Sequence, residues 1–138
     1  MEYKIETPSN HQQIIQFLDD RIYEFNSKTI NRIDGRLFSK IIRENNEEII
    51  AGIAGWIWAN ACEITLLWVK EEYRKKKLGE KLLRAAEEEA IDANCSVILI
   101  RSYTFQAPFF YEKQGYKIEH IIEDFPKGQK YYTLIKRF

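Results

Sequence analysis

Four consecutive cations, Arg74-Lys75-Lys76-Lys77, run straight into Leu78-Gly79 at the head of a helical stretch. A helix N-terminus presents unpaired N–H groups and a partial positive charge, so it ordinarily favours acids over lysine and arginine. An anionic ligand such as a phosphate reconciles the two, held by the N–H groups and flanked by the cations. Gly79 suits that reading, because a residue without Cβ lets the backbone approach a pyrophosphate closely. The same residues also fit a solvated lysine run with a glycine that serves packing. Little else in the chain suggests reactive chemistry. His11 and His120 lie far apart without supporting acids or cysteines, and no metal site is expected. Cys62 and Cys95 have neither CxxC nor zinc spacing and read as reduced, small core residues.

These residues need elements to hold them, and apolar spacing supplies an outline. Residues 3–6 read as a short first strand. Ser9 or Asn10 can cap a helix that carries Ile14, Ile15, Phe17, Leu18, Ile22 and Phe25 at helical spacing. After a loop over 26–35, residues 36–44 and 48–58 read as strands, with Asn45-Asn46 as hairpin turn chemistry. Residues 63–69 form a fourth strand. Helical periodicity returns at Leu78, Leu82, Leu83, Ala86, Ala90 and Ile91, leaving Arg84, Glu87, Glu88 and Glu89 for solvent. Residues 96–102 make another apolar strand, and Pro108 starts a short helix that Gly115 ends. Residues 116–123 and 130–136 alternate around Asp124-Phe125-Pro126-Lys127-Gly128 as a terminal hairpin. The order β-α-β-β-β-α-β-α-β-β predicts an α+β fold, a mixed and mostly antiparallel central sheet flanked by helices.

Tyr73-Arg74-x-x-x-Leu78-Gly79, between a strand and Leu82-Leu83 on a helix, resembles motif A of the GNAT (GCN5-related) N-acetyltransferases. There Q/R-x-x-G-x-G/A wraps the pyrophosphate of acetyl-CoA. Arg74 matches the first position and Gly79 the last, while Lys77 stands where the pattern has a glycine. That departure asks for a shifted loop or a positive φ at Lys77. The segment from Thr104 through Ala107, Tyr111, Lys113 and Gly115 to Tyr116 resembles the family's A-x-x-x-Y-x-K-x-G-F/Y motif. Asp124-Phe125-Pro126-Lys127-Gly128 and the closing Lys136-Arg137-Phe138 also look like a small bacterial, single-domain subgroup. The resemblance covers essentially the whole chain.

It implies one GNAT domain over 1–138, with acetyl-CoA as cosubstrate and a primary amine acetylated by direct transfer in a ternary complex. Arg74, Lys75, Lys76, Lys77, Leu78, Gly79 and Glu80 would bind phosphate. Backbone groups of a splayed strand over 66–69, with Leu67, Trp68 and Val69, would take the pantetheine amides and the thioester oxygen. Thr104 falls where many members place an asparagine that contacts the pantetheine arm. Tyr111 would be the general acid, a phenol whose pKa suits a thiol leaving group. Glu63, eleven residues before Arg74, has the offset of a catalytic glutamate and would be the general base; a water chain is the alternative. Period-two alternation puts Glu63, Thr65, Leu67 and Val69 on one face and Ile64, Leu66 and Trp68 on the other. The acceptor site would combine the first helix, its following loop and the last hairpin. Acids there (Asp19, Asp20, Glu24, Asp34) and the aromatics Trp56, Trp58, Tyr103 and Phe125 would suit an amine or polyamine. A non-catalytic acyl-CoA-binding regulatory module of the same fold is the competing reading.

Composition narrows the partners. The chain has 138 residues, 45% of them hydrophobic, enough for one buried core without staples. Lys plus Arg number 21 and Asp plus Glu number 21, so no bulk charge draws it to nucleic acid or an anionic membrane. The opening Met1-Glu2-Tyr3-Lys4 has no basic n-region or apolar h-region, and the apolar stretch 51–62 is too short to span a bilayer. A cytoplasmic monomer or homodimer acting on a small-molecule or peptide amine is expected.

Overall fold

The computed structural model describes residues 2–45 and 47–138. Its elements are α1 (His11–Ile30), β1 (Arg36–Glu44), β2 (Glu48–Trp58), β3 (Ala61–Val69), a 3-10 turn over Glu71–Tyr73, α2 (Leu78–Asp92), β4 (Val97–Tyr103), α3 (Pro108–Lys113), β5 (Lys117–Glu123) and β6 (Lys130–Arg137). Contacts divide the chain into two units, one up to Ile33 and one over Asp34–Phe138. No helix among the described residues is long and apolar enough to cross a membrane.

In the first unit, α1 ends where Asn31 turns left-handed (φ 55°) and its N–H caps the Lys28 carbonyl. Acids of α1 are engaged along the helix, Glu24 by Arg21 and Asp20 by Gln16 at 2.8 Å. The strand expected over 3–6 does not form, and residues 2–8 have no regular structure. Tyr3 and Ile5 are its only apolar alternates, and a strand that short holds only where a neighbour completes its ladder.

The second unit is a six-stranded sheet in the order β1-β2-β3-β4-β6-β5. Every neighbouring pair is antiparallel except β3–β4. The expected mixed, mostly antiparallel sheet is therefore observed. Asn45 opens the β1–β2 turn at φ 49°, and Asn46 lies outside the described residues. The β2–β3 turn is Ala59-Asn60, left-handed at both residues (φ 51° and 65°), the geometry of a two-residue hairpin whose twist matches its strands. Asp34 holds it by accepting the Ala59 N–H at 3.2 Å.

Leu82, Leu83, Ala86 and Ala90 of α2 bury against Ile53, Ile64, Ile98, Ile100 and Leu134. Each large side chain so buried contributes about 1.5–3 kcal/mol. Cys62 and Cys95 join this core as free thiols, and burial pushes the Cys62 thiol up to about 12. Two sequence expectations for α2 need correcting. Ile91 is exposed. Glu87 and Glu89 do not face open solvent: Glu87 accepts from Tyr116 (2.8 Å) and Lys136 (3.0 Å), and Glu89 bridges Arg36 and Lys40 (both 2.9 Å). Each carboxylate ties the helix to a neighbouring strand, a tertiary arrangement that helical periodicity alone does not encode.

The feature that prepares a site is in β3. Ala54 pairs with Leu66 but Gly55 pairs with Ile64, so Thr65 is an extra residue on β3. Parallel pairing with β4 stops one residue earlier, at Ile64↔Ile100, although β3 continues to Val69 and β4 to Tyr103. The strands fork there. The bulge also resets the alternation: Leu67 and Val69 pack on the core with Ile64, while Leu66 and Trp68 are exposed on the side of Glu63. The expected grouping of Glu63 with Leu67 and Val69 is thus overturned by one inserted residue.

Candidate active site

A cavity of about 760 Å³ occupies the fork. Ile64, Leu67, Val69, Ile100, Ser102, Phe110 and Tyr111 line it from the core side of the sheet, and Leu66, Trp68 and Arg101 from the other side. The cavity therefore reaches both faces. Between the forked strands the β4-side backbone groups of 66–69 have no ladder partner on β4, which leaves polar main chain on an apolar wall. Such groups need a partner, and a ligand carrying amides or a carbonyl would provide one.

Arg74, Lys75, Lys77, Leu78, Gly79 and Glu80 close one end. The Arg74 Nε donates to the Val69 carbonyl at 3.0 Å, fastening the loop to the end of β3. Lys75 and Lys77 are both left-handed, at φ 64° and 62°. Lys77 is the N-cap of α2, with no side-chain hydrogen bond to cap the helix, and the first helical bond runs from Lys81 N–H to its carbonyl at 3.1 Å. The N–H groups of Leu78, Gly79 and Glu80 precede that bond and point out of the helix end, as an anion site requires. Lys76 is the one residue of the basic run off this wall. It lies in an adjoining groove on the outer side of α2, its ammonium 5.3 Å from the Tyr73 ring centre.

The proposed catalytic pair separates. Tyr111 is buried, packs edge-on to Phe110 (5.2 Å) and Tyr116 (6.0 Å), and lines the cavity. Burial pushes its phenol up to about 12, so the expected match to a thiol near 8.5 is not kept. Glu63 lies just outside the lining; its carboxylate is held by the Arg101 guanidinium at 2.7 Å. Thr104 is also outside, because its hydroxyl accepts the Lys130 N–H (2.7 Å) and donates to the Lys130 carbonyl (3.1 Å). It closes the β4–β6 ladder instead of facing a ligand. Lining residues that the sequence reading missed include Arg101, Phe105, Gln106 and Gln114. Arg101 had a visible signal, one cation inside the apolar run 96–102.

The family model described as "Acetyltransferase (GNAT) family" matches residues 3–116. The chain belongs to the GNAT acetyltransferases. Blasticidin-S acetyltransferase of Streptomyces morookaense is 32% identical over 90 residues, 64% of this chain and 66% of that protein. An acetyltransferase crystal structure from Bacillus cereus superposes at a TM-score of 0.82, with 27% identity over 99% of this chain and 98% of that one. An aminoglycoside 6′-N-acetyltransferase complexed with coenzyme A shares the fold at a TM-score of 0.66, with 18% identity over 73% of this chain and 72% of that one. Acetyl-CoA is the cosubstrate of this family.

Against the GNAT pattern, Lys77 is the clear departure, and it answers with a positive φ. A left-handed non-glycine residue costs about 1–2 kcal/mol. Lys77→Gly and Lys77→Ala remove the same charge but only the first relieves this backbone. We expect Lys77→Gly to be the more stable by about 1 kcal/mol in urea unfolding. Equal midpoints would mean that Lys77 is not left-handed in solution.

Proposed function

We propose that this chain transfers the acetyl group of acetyl-CoA directly to the amine of a small molecule, with both substrates bound at once and 1–138 acting as one acetyltransferase domain. The observation that carries this reading is a cavity running through the β3–β4 fork from the N-terminus of α2, which no side chain caps, to the opposite face of the sheet. One substrate can enter from each side. The family match extends from residue 3 to 116 across both units, and a relative is named for acting on an antibiotic, which supports a small-molecule acceptor.

The pyrophosphate would sit on the N–H groups of Leu78, Gly79 and Glu80, with Arg74, Lys75 and Lys77 beside it; Lys76, in the outer groove, stays within reach of a terminal phosphate. The pantetheine amides would pair with backbone groups on the β4 side of the strand over Leu67, Trp68 and Val69, where the ladder to β4 has ended. The amine nitrogen attacks the thioester carbon, forming C–N and breaking C–S, while the β3 backbone holds the developing oxyanion. The proton lost from nitrogen passes through water toward Glu63. Sulfur leaves as a thiolate that accepts a hydrogen bond from Tyr111, whose burial favours the protonated hydroxyl. Thr104 supports the wall through Lys130.

Gly79 gives a clean test. A Cβ there would meet Phe110 at 3.6 Å and Val69 at 4.0 Å, ordinary contacts, so the protein itself does not require glycine. Gly79→Ala should stabilise the helix by about 0.5–1 kcal/mol. Acetyl-CoA affinity, measured by calorimetry, should nevertheless fall by about tenfold or more, since the methyl stands where the pyrophosphate approaches. Unchanged affinity would remove the phosphate from this helix end, and absent acetyl-CoA binding by the unaltered protein would end the transferase reading.

A further inference from the structure

The acceptor side of the cavity carries a cation. Arg101 lies one residue past the last β3–β4 pair, on the face of the sheet opposite α2, and lines the cavity with Leu66 and Trp68. Only one other charged position on the lining lies outside the Arg74–Lys77 run: Glu80, which is paired with Arg84 at 2.6 Å. Nη1 of Arg101 donates to Glu63 at 2.7 Å, and no other hydrogen bond of this guanidinium occurs among the described residues. A guanidinium has five N–H donors in a fixed fork, so most of this one remains available. The bond to Glu63 restrains one end of a side chain that is 45% exposed and leaves its other donors open.

Phe105 lines the same cavity, 64% exposed and stacked on Tyr103 at 5.2 Å with planes 6° apart. Tyr131 backs Tyr103 at 4.5 Å. Glu63 offsets part of this charge but lies outside the lining, so what Arg101 offers the cavity is guanidinium N–H donors, which suit a carboxylate and not a cationic amine. We propose that Arg101 recognises a carboxylate on the acceptor, so that the substrate is a small amine bearing a carboxylate, its flat portion laid against Phe105. Glu63, toward which the amine proton passes through water, also holds one end of that guanidinium. The inference rests on the acetyl-transfer reading and names the substrate class of the same site.

The test uses two matched amine pairs, phenylalanine with phenethylamine and glycine with methylamine, each differing by a carboxylate. Thiol release with acetyl-CoA gives kcat/KM for the unaltered chain, Arg101→Gln and Arg101→Lys, and acetyl-CoA calorimetry shows that each variant is folded. The unaltered chain should prefer the carboxylate-bearing member by about tenfold or more, the scale of a charge-assisted hydrogen bond. Arg101→Gln should remove most of that preference, with Arg101→Lys between, and phenylalanine should exceed glycine. Intrinsic differences between the amines do not change with the enzyme, so the loss of preference reports Arg101 itself. Acetyl-CoA binding with no turnover of either carboxylate-bearing amine overturns the inference, as does a preference that survives in Arg101→Gln. Failure to bind acetyl-CoA would instead sink the transferase reading beneath it.

Discussion

Gly55→Ala should cost roughly 3 kcal/mol of folding stability, while Gly52→Ala, three residues earlier on the same strand, should cost less than about 1. A Cβ on Gly55 would stand 2.2 Å from the Glu63 carbonyl oxygen and 2.9 Å from the Phe38 ring. The first of these is backbone in the middle of a sheet and cannot swing aside. At Gly52 the nearest atoms are the Lys40 carbonyl at 3.4 Å and the Ile41 side chain at 3.5 Å, contacts that a strand absorbs. Urea unfolding of both variants separates a steric requirement from the general preference of strands for residues other than glycine. Equal midpoints would remove the argument. Gly55 also faces the point where Thr65 bulges and β3 leaves β4. Any relief obtained by moving Glu63 would shift the fork, so folded Gly55→Ala should bind acetyl-CoA more weakly as well.

That coupling explains what could and could not be read from the chain. Residues 36–44 and 48–58 follow from local alternation and turn chemistry, and both strands occur as expected. Alternation over 63–69 led to the wrong faces, because a bulge is a property of two strands in register: Thr65 is extra only relative to Ala54 and Gly55. The left-handed Ala59 was equally hidden, since alanine carries no turn signal and the conformation is imposed by the strands it joins. Lys77 was legible for the opposite reason. A glycine position occupied by lysine demands either a new loop or a positive φ, and the backbone takes the second course. The basic run and Tyr111 were also visible as chemistry, and they meet on one wall. Glu63 and Thr104 were placed by sequence offset, but their side chains are claimed by Arg101 and Lys130, partners 38 and 26 residues away. Arg101 was the converse case, a visible charge whose meaning depends on the fork beside it.

Tyr111→Phe should lower kcat by about 10²-fold with acetyl-CoA affinity nearly unchanged. The ring is buried at 7% exposure, packed by Phe110 and Tyr116, and phenylalanine keeps those contacts. No fully buried polar side-chain atom among the described residues is left unpaired, so a Tyr111 hydroxyl without a protein hydrogen bond opens to the cavity it lines, and removing it should change neutral-pH stability by less than about 1 kcal/mol. The lost interaction is then the one made to the leaving sulfur as charge develops, which is felt in kcat and not in binding. Alkaline unfolding gives an independent readout with a definite sign. Below pH 10 the phenol is protonated in folded and unfolded chains, and its contribution is fully present. From 10 to about 12 the unfolded chain ionises while the buried phenol holds its proton, so stability falls as pH rises, by about 2–3 kcal/mol from this group. Tyr116, held up in the same direction by burial and by its bond to Glu87, keeps its share of the fall in the variant. Tyr111→Phe should accordingly lose stability less steeply above pH 10 than the unaltered chain. A variant with a flattened alkaline fall but full turnover would leave Tyr111 a core aromatic, whereas a fall in kcat together with the flattened profile ties the buried hydroxyl to the departing thiolate.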